Sequence, residues 1–440
     1  MKNENDLNGV FGRLRPEIGK AVAEAGYHTP SPIQEQAIPP LLEGRDMIGC
    51  AQTGTGKTAA FTLPILQHLA ENNRRPVSNR PQVLIIAPTR ELAAQIGESV
   101  DKYGKHTKTS HTVIFGGVGQ HPQVKAIRRG VNVLVATPGR LIDLMNQGCV
   151  DLGGVEIFVL DEADRMLDMG FINDIKKVIK VLPKKRQSLF FSATMEPKVK
   201  QLAESLVSNP AQVAIEPEKP AVERITQKIM FVDKNSKDDL IMSVMASKKL
   251  DKVIIFTQMK HVANKVARKL EGVGVSAAAI HGNKSQSART QALADFKAGK
   301  VRALVATDIA ARGIDVKEIS HVVNYDMPVE PETYVHRIGR TARAGAEGDA
   351  ISFCCAPERD YLRAIEKLIR FEIPRDLKHD LHSERSMNAT GDDAKPGPKV
   401  RQQRGKTTVN ADGRPKHSKK GQRPSQVKSR RPNARRRSYG

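Results

Sequence analysis

No apolar run in this chain approaches the ~20 residues needed to cross a bilayer, and residues 1–8 are polar, so neither a membrane span nor a signal peptide is expected. Cysteine is also scarce. The four present (Cys50, Cys149, Cys354 and Cys355) make no C-x-x-C pair and no metal-ligand spacing, which argues against a disulfide or zinc framework and for packed, reduced thiols in a cytoplasmic protein. Acid is nearly absent from one region: residues 395–440 carry sixteen Lys/Arg against Asp412 alone, an excess of 15 in a chain whose formal charge is +23. Such a segment has too little apolar surface to offset the entropy of ordering, so residues 376–440 are expected to be a disordered basic tail that binds polyanions. Charge alone leaves nucleic acid and anionic membrane both open as partners.

What is present is enough apolar sequence for two cores, 39% of 440 residues. β-branched runs at 83–87, 113–115, 131–136 and 157–160 alternate with helical spacing, a rhythm that implies a parallel sheet covered by helices. It pauses across 209–222, where Pro210, Pro217 and Pro220 interrupt it, then resumes through 253–256, 277–280, 303–306, 321–325 and 350–353. Two α/β domains are therefore expected, 1–215 and 223–375, joined by a linker at 216–222.

Two elements in the first domain carry chemistry. Ala51-Gln-Thr-Gly-Thr-Gly-Lys-Thr58 sits between an apolar run and a helical stretch. Thr53, Gly54, Thr55 and Gly56 can wrap phosphate oxygens, Lys57 can reach the β/γ-phosphates and Thr58 can ligate Mg²⁺. Alanine at position 51 departs from the strict glycine pattern, and a chance glycine-rich turn is the plain alternative. That alternative weakens because the apolar run 157–160 ends in Asp161-Glu162-Ala163-Asp164. Asp161 is placed to hold Mg²⁺ and Glu162 to polarise water at a γ-phosphate.

Asp161-Glu162-Ala163-Asp164 is the signature that names the DEAD-box RNA helicases, and from Gly26 to Arg343 the chain resembles that family, its motifs in order. The resemblance implies two tandem RecA-like domains, ATP with Mg²⁺, and RNA as partner without sequence preference or membrane. Tyr27 and Gln34 lie in a segment that resembles the adenine-reading motif. Ala51–Thr58 then agrees with the family's phosphate loop, alanine included. Pro88-Thr89-Arg90, Gly116-Gly117 and Thr137-Pro138-Gly139-Arg140 resemble RNA-backbone elements, as do Thr257, Gln286, Arg289 and Thr307 in the second half. Ser192-Ala193-Thr194 looks like the element that couples hydrolysis to strand separation through Asp164. Asp315 would touch the nucleotide, and His336-Arg-Ile-Gly-Arg-Thr-Ala-Arg343 resembles the arginine-finger motif. Within the family, residues 280–283 and the basic extension look most like the bacterial RhlE branch, whose members share Asn283. One departure concerns adenine stacking: the family's aromatic position is Gly9 here, and Phe11 is the nearest aromatic.

The spacing of Arg337 and Arg340 predicts a shared helix face, from which both would reach the γ-phosphate held by the other domain, with His336 coupling the two. The expected activity is RNA-stimulated ATP hydrolysis with local unwinding of short duplexes or remodelling of ribonucleoprotein. An ATP-gated RNA clamp or an RNA chaperone with little unwinding would carry the same motifs.

Overall fold

The structure, a computed structural model, describes residues 7–52, 54–215, 225–247, 250–311, 316, 319–342 and 348–395. In the first lobe seven strands form one sheet: β1 (Met47–Cys50), β2 (Val83–Ile86), β3 (His111–Ile114), β4 (Val133–Ala136), β5 (Ile157–Leu160), β6 (Gln187–Ser192) and β7 (Ala211–Ala214), ordered β3-β4-β2-β5-β6-β1-β7. The second lobe has six: β8 (Ile225–Phe231), β9 (Val253–Phe256), β10 (Ala277–Ile280), β11 (Ala303–Ala306), β12 (His321–Asn324) and β13 (Gly348–Cys354), ordered β10-β11-β9-β12-β13-β8. All strand pairs are parallel.

A parallel sheet needs helical cover on both faces, and its central strands are accordingly apolar throughout rather than alternating. β2 (VLII), β4 (VLVA), β5 (IFVL), β9 (VIIF) and β11 (ALVA) are buried at every position. The sheet divides the first lobe's interior into two clusters, one on each face under its helices: one built around Phe61, Ile85 and Phe191 and one around Phe158, Met166 and Phe190. In open sheets of this kind ligands gather beyond the carboxyl ends of the strands. The phosphate loop follows β1 there, Pro88–Arg90 follows β2, Thr137–Arg140 follows β4 and Asp161–Asp164 follows β5.

Two expected boundaries change. Within the pause at 209–222, Ala211–Ala214 is an edge strand, paired to β1 through Ala211 N to Asp46 O (2.8 Å) and Ile215 N to Cys50 O (2.9 Å). Only Val213 of β7 is buried, so it carries no apolar signature. The linker proper, 216–222, lies outside the described residues.

The second lobe does not stop at 375. Asp376 N donates to Ile229 O (2.8 Å), Lys228 pairs with Asp376 (2.9 Å), and Ser383 N donates to Phe231 O (3.1 Å). Ser383 Oγ then binds Asp233 Oδ1 (2.6 Å), and the buried Ser386 donates to Val232 O (3.0 Å) from the short helix Glu384–Asn388. This strap covers the outer edge of β8, which would otherwise present unpaired backbone. It is held by backbone and serine hydrogen bonds rather than an apolar stripe, so the fading of apolar rhythm reads wrongly as disorder. Residues 376–395 belong to the lobe; the rest of the expected tail is outside the described residues.

Candidate functional site

Beyond β1 the chain turns through Gly54 (φ 91°) and Gly56 (φ 101°), left-handed conformations that glycine adopts without strain, into the helix Lys57–Asn72. The first amides of that helix are oriented for an anion. Gln34 is buried against the turn. Its Oε1 accepts from Ser31 N (2.9 Å), capping the helix Pro32–Leu42, and its Nε2 donates to Gly56 O (3.2 Å), while Ser31 Oγ donates to Thr55 O (2.7 Å). A Cβ on Gly56 would stand 2.5 Å from Gln34 Nε2, so the turn and the glutamine require each other. One amide hydrogen and one lone pair of Gln34 remain beyond these bonds. Lys57 is buried, its ammonium resting on Ala51 O (2.5 Å). Thr58 follows it on the first turn; Thr53 lies outside the described residues.

Phe11 does not offer a ring for stacking. It is 2% exposed inside the first core, on the 3-10 helix Gly9–Arg13. Gly9 itself has φ 56°, a left-handed backbone in which a side chain would be strained, and a Cβ there would stand 2.6 Å from the Glu35 carboxylate. Tyr27 packs beside Tyr103 (centroids 6.3 Å apart) with Lys102 over its ring (5.0 Å).

At the end of β5, Asp161 and Glu162 are both buried, and Glu162 takes a left-handed backbone (φ 54°) as it opens the helix Ala163–Asp168. Burial pushes the Asp161 carboxyl up to about 7, with Glu162 and Asp164 adding to the rise and Lys57 opposing it. Burial would raise Glu162 as well, but Arg165, 2.6 Å from its Oε2, with Lys57 and Arg340 beyond, holds it below the usual carboxylate range. Sequence reading missed Arg165; its place three residues after Glu162 on a helix is the signal that could have found it. Asp164 Oδ2 accepts from Ala193 N (3.0 Å), Thr194 N (3.0 Å) and Thr194 Oγ1 (3.2 Å), and Ser192 Oγ accepts from Asp164 N (3.3 Å). The loops after β5 and β6 are thus tied by one carboxylate.

The two expected arginine fingers differ in how they are held. Arg337 is 1% exposed: its Nε and Nη2 grip Asp308 (2.6 and 2.8 Å), and Nη1 donates to Asn324 Oδ1 (3.2 Å) and Asp326 O (2.6 Å). It braces the loops after β11 and β12 and lines the interlobe cleft beside Arg340. The helix Pro331–Ile338 ends before Arg340, so this pair does not share the helix face that its spacing predicts. Arg340 lies in the narrow cleft that Arg337, Asp308, His336, Thr333 and Phe256 form with Arg165 of the first lobe, and its charge is felt at Glu162. Asp315 lies outside the described residues.

A second junction joins the expected RNA elements. Arg289 Nη2 stands 2.8 Å from Glu91 Oε2, Gln286 Nε2 donates to Glu91 Oε1 (3.2 Å) and Arg90 Nη1 to Gln286 Oε1 (3.3 Å). Gly117 (φ 76°) lies under Arg90, where a Cβ would collide with the guanidinium. Burial lowers the Arg90 pKa, with Arg289 and Arg140 adding to it and Glu91 opposing. Arg140 donates to Gln123 Oε1 (2.9 Å) and Val118 O (3.0 Å), holding the loop that contains Gly116 and Gly117. Thr89 caps the helix Arg90–Gly104, and Thr137 precedes Pro138 and Gly139 at the start of the helix Pro138–Asn146. Thr307 is half-buried after β11, whereas Thr257 is fully buried, its hydroxyl turned to Met259 O (3.4 Å), and is not exposed to a ligand.

Comparison with known proteins gives a consistent picture. Residues 31–202 match the DEAD/DEAH box helicase model and residues 236–345 the helicase conserved C-terminal domain. The chain is 41% identical over 369 residues to the DEAD-box ATP-dependent RNA helicase RhpA of Helicobacter pylori, covering 84% of this chain and 73% of that protein. It is 43% identical over 372 residues to DEAD-box ATP-dependent RNA helicase 40 of rice (Oryza sativa subsp. japonica), covering 83% of this chain and 47% of that longer protein. Among solved structures, S. cerevisiae Dbp5 bound to RNA and ADP BeF3 superposes with a TM-score of 0.71 at 35% identity, over 82% of this chain and 94% of that one.

Proposed function

Since the chain belongs to the DEAD-box ATP-dependent RNA helicases, we propose that it hydrolyses ATP in the cleft between its lobes while both lobes grip one RNA strand, separating short duplexes locally. The observation that carries this reading is the convergence of Glu162, Arg165 and Arg340 at the cleft, with Asp164 tying the catalytic loop to Ser192–Thr194. Neither lobe holds all of these groups, so closure completes the site.

In this scheme the remaining donor and acceptor of Gln34 read the adenine edge, and Lys57 leaves Ala51 O for the β/γ-phosphates. Glu162 accepts a hydrogen bond from the attacking water and takes its proton. Arg340 supplies positive charge from the second lobe, and Arg337 positions it indirectly by fixing Asp308 and Asp326 O. Asp161, a buried carboxylate whose raised pKa marks unmet need for positive charge, and Thr58 fit Mg²⁺. Bound there, the ion neutralises phosphate charge. With only Asp161 and Thr58 among the described residues to hold it, such an ion would depend on the nucleotide's phosphates and on water for the rest of its ligands.

RNA would lie along Pro88–Arg90, Gly116-Gly117, Thr137–Arg140, Gln286, Arg289 and Thr307, read through phosphates and 2′-hydroxyls. A cytoplasmic setting follows from the thiol usage, and a place in the bacterial RhlE-like branch from residues 280–283 and the basic extension. The direct test is steady-state ATP hydrolysis with and without RNA: strong stimulation is expected, and equal rates would refute the coupled site.

A further inference from the structure

Away from the nucleotide and the proposed RNA path, the helix His121–Arg129 and the end of the helix Pro138–Asn146 frame a cleft of about 480 Å³. His121, Lys125, Arg128 and Arg129 line it, at i, i+4, i+7 and i+8 on one helix face, while Gln123 and Ile127 turn inward. All four are exposed, no carboxylate lines the cleft, and none of Lys125, Arg128 or Arg129 has an ion-pair partner among the described residues. The nearby Asp143 is already engaged, by Arg140 (3.6 Å) and by Gln147 Nε2 (2.9 Å). The side-chain amides of Gln120 and Gln147 bind each other reciprocally (2.9 and 3.1 Å), pinning the two helices that form the walls.

The cleft shares its frame with the RNA elements. Arg140 reaches Gln123 on the cleft's helix with one nitrogen and Val118, next to Gly117, with another. The four basic positions extend over about 12 Å of helix axis, longer than one phosphate group and suited to a succession of them. Resting on the RNA path proposed above, we propose that this cleft is a second RNA-contact surface, taking backbone phosphates of the strand where it continues past the segment held between the lobes.

The test uses the full-length chain and a Lys125→Ala/Arg128→Ala/Arg129→Ala variant. These exposed helical sites accept alanine without propensity loss, and a melting curve checks the fold. Binding is titrated over a salt series with a non-hydrolysable ATP analogue and three probes: a short oligonucleotide that fills only the interlobe path, a long single strand, and the short oligonucleotide extended by a hairpin. The variant should bind the short probe as the wild type does. It should lose about tenfold on an extended probe, with a log K against log salt slope shallower by about 2, since three phosphate contacts at about 0.7 each are removed. Loss on the long strand alone assigns a single-stranded flank, and loss on the hairpin probe alone a duplex arm. Unchanged affinity for both extended probes would overturn the proposal, as would an equal loss on the short probe, which would place these residues on the interlobe path. A wild-type chain that binds no probe with the analogue would overturn the underlying RNA path as well. Arg128→Glu alone should reproduce the selective loss.

Discussion

Glu91, on the first turn of the helix after β2, and Arg289, from the helix after β10, meet at 2.8 Å with both side chains almost wholly excluded from solvent. One belongs to each lobe: Glu91 adjoins Arg90 of the proposed RNA path, and Arg289 lies on that path. Removing one partner of a buried ion pair leaves an uncompensated charge, at a penalty of about 3–5 kcal/mol. Glu91→Gln should therefore weaken closure. RNA-stimulated turnover is expected to fall by at least about tenfold, with nucleotide affinity in the absence of RNA unaltered. Stimulated ATPase and RNA-free nucleotide titration would check this; a variant with normal stimulation would remove the pair from the coupling.

Arg165 keeps the Glu162 carboxyl below its usual range against the effect of burial. Arg165→Ala removes the strongest opposing charge, so the Glu162 pKa rises and a larger fraction is protonated in mildly acidic solution. The acid limb of the kcat–pH profile should then move to higher pH, whereas Glu162→Gln should abolish turnover by about 10²–10⁴-fold at all pH and leave RNA and ATP binding intact. Superimposable wild-type and Arg165→Ala profiles would contradict this role.

Asp161 makes the opposite case. Burial raises its carboxyl from 3.8 to about 7, so between those values the folded chain holds a proton that the unfolded chain has lost. Stability contributed by the neutral form is full below about 4 and is lost as pH rises through about 7. Asp161→Asn should consequently raise Tm at pH above 7, show little gain near pH 4, and hydrolyse no ATP. Calorimetric melting at both pH values measures this, and equal shifts would refute the burial argument.

Much of this was legible in the sequence. The apolar strands β2, β4, β5 and β9, the phosphate loop and the carboxylate cluster each announce themselves through composition at fixed spacing. What escaped had weak or misleading local signal. β7 is a half-exposed edge strand beside a proline, and the strap at 376–395 is bound by serines and backbone. Spacing shows residue type but not burial, and so did not reveal how Arg337 is held. Asp308, which occupies it, is 29 positions away. Arg165 went unnoticed because a charged residue on a short helix usually faces solvent.

The strap makes a prediction about truncation. Met1–Lys395 keeps every contact to β8, so its Tm should match the full chain, whereas ending the chain at Leu381 removes Ser383 and Ser386 and should lower it by several degrees. The missing residues 396–440 should affect RNA affinity instead. Six phosphate contacts by the basic segment would add about −4 to the slope of log K against log salt. Maximal ATP turnover at saturating RNA should hardly change. Equal salt slopes for Met1–Lys395 and the full chain would show that the segment does not bind RNA.

In the proposed function one closed state of the two lobes serves ATP and RNA together. Thermodynamic linkage then requires each ligand to tighten the other by the same factor, about 5–150-fold for couplings of this kind. The most direct measurement is a pair of titrations: RNA affinity with and without a saturating non-hydrolysable ATP analogue, and analogue affinity with and without saturating RNA. Equal, large factors in both directions are predicted, and both should collapse in Arg340→Ala. RNA affinity indifferent to the analogue would contradict the account.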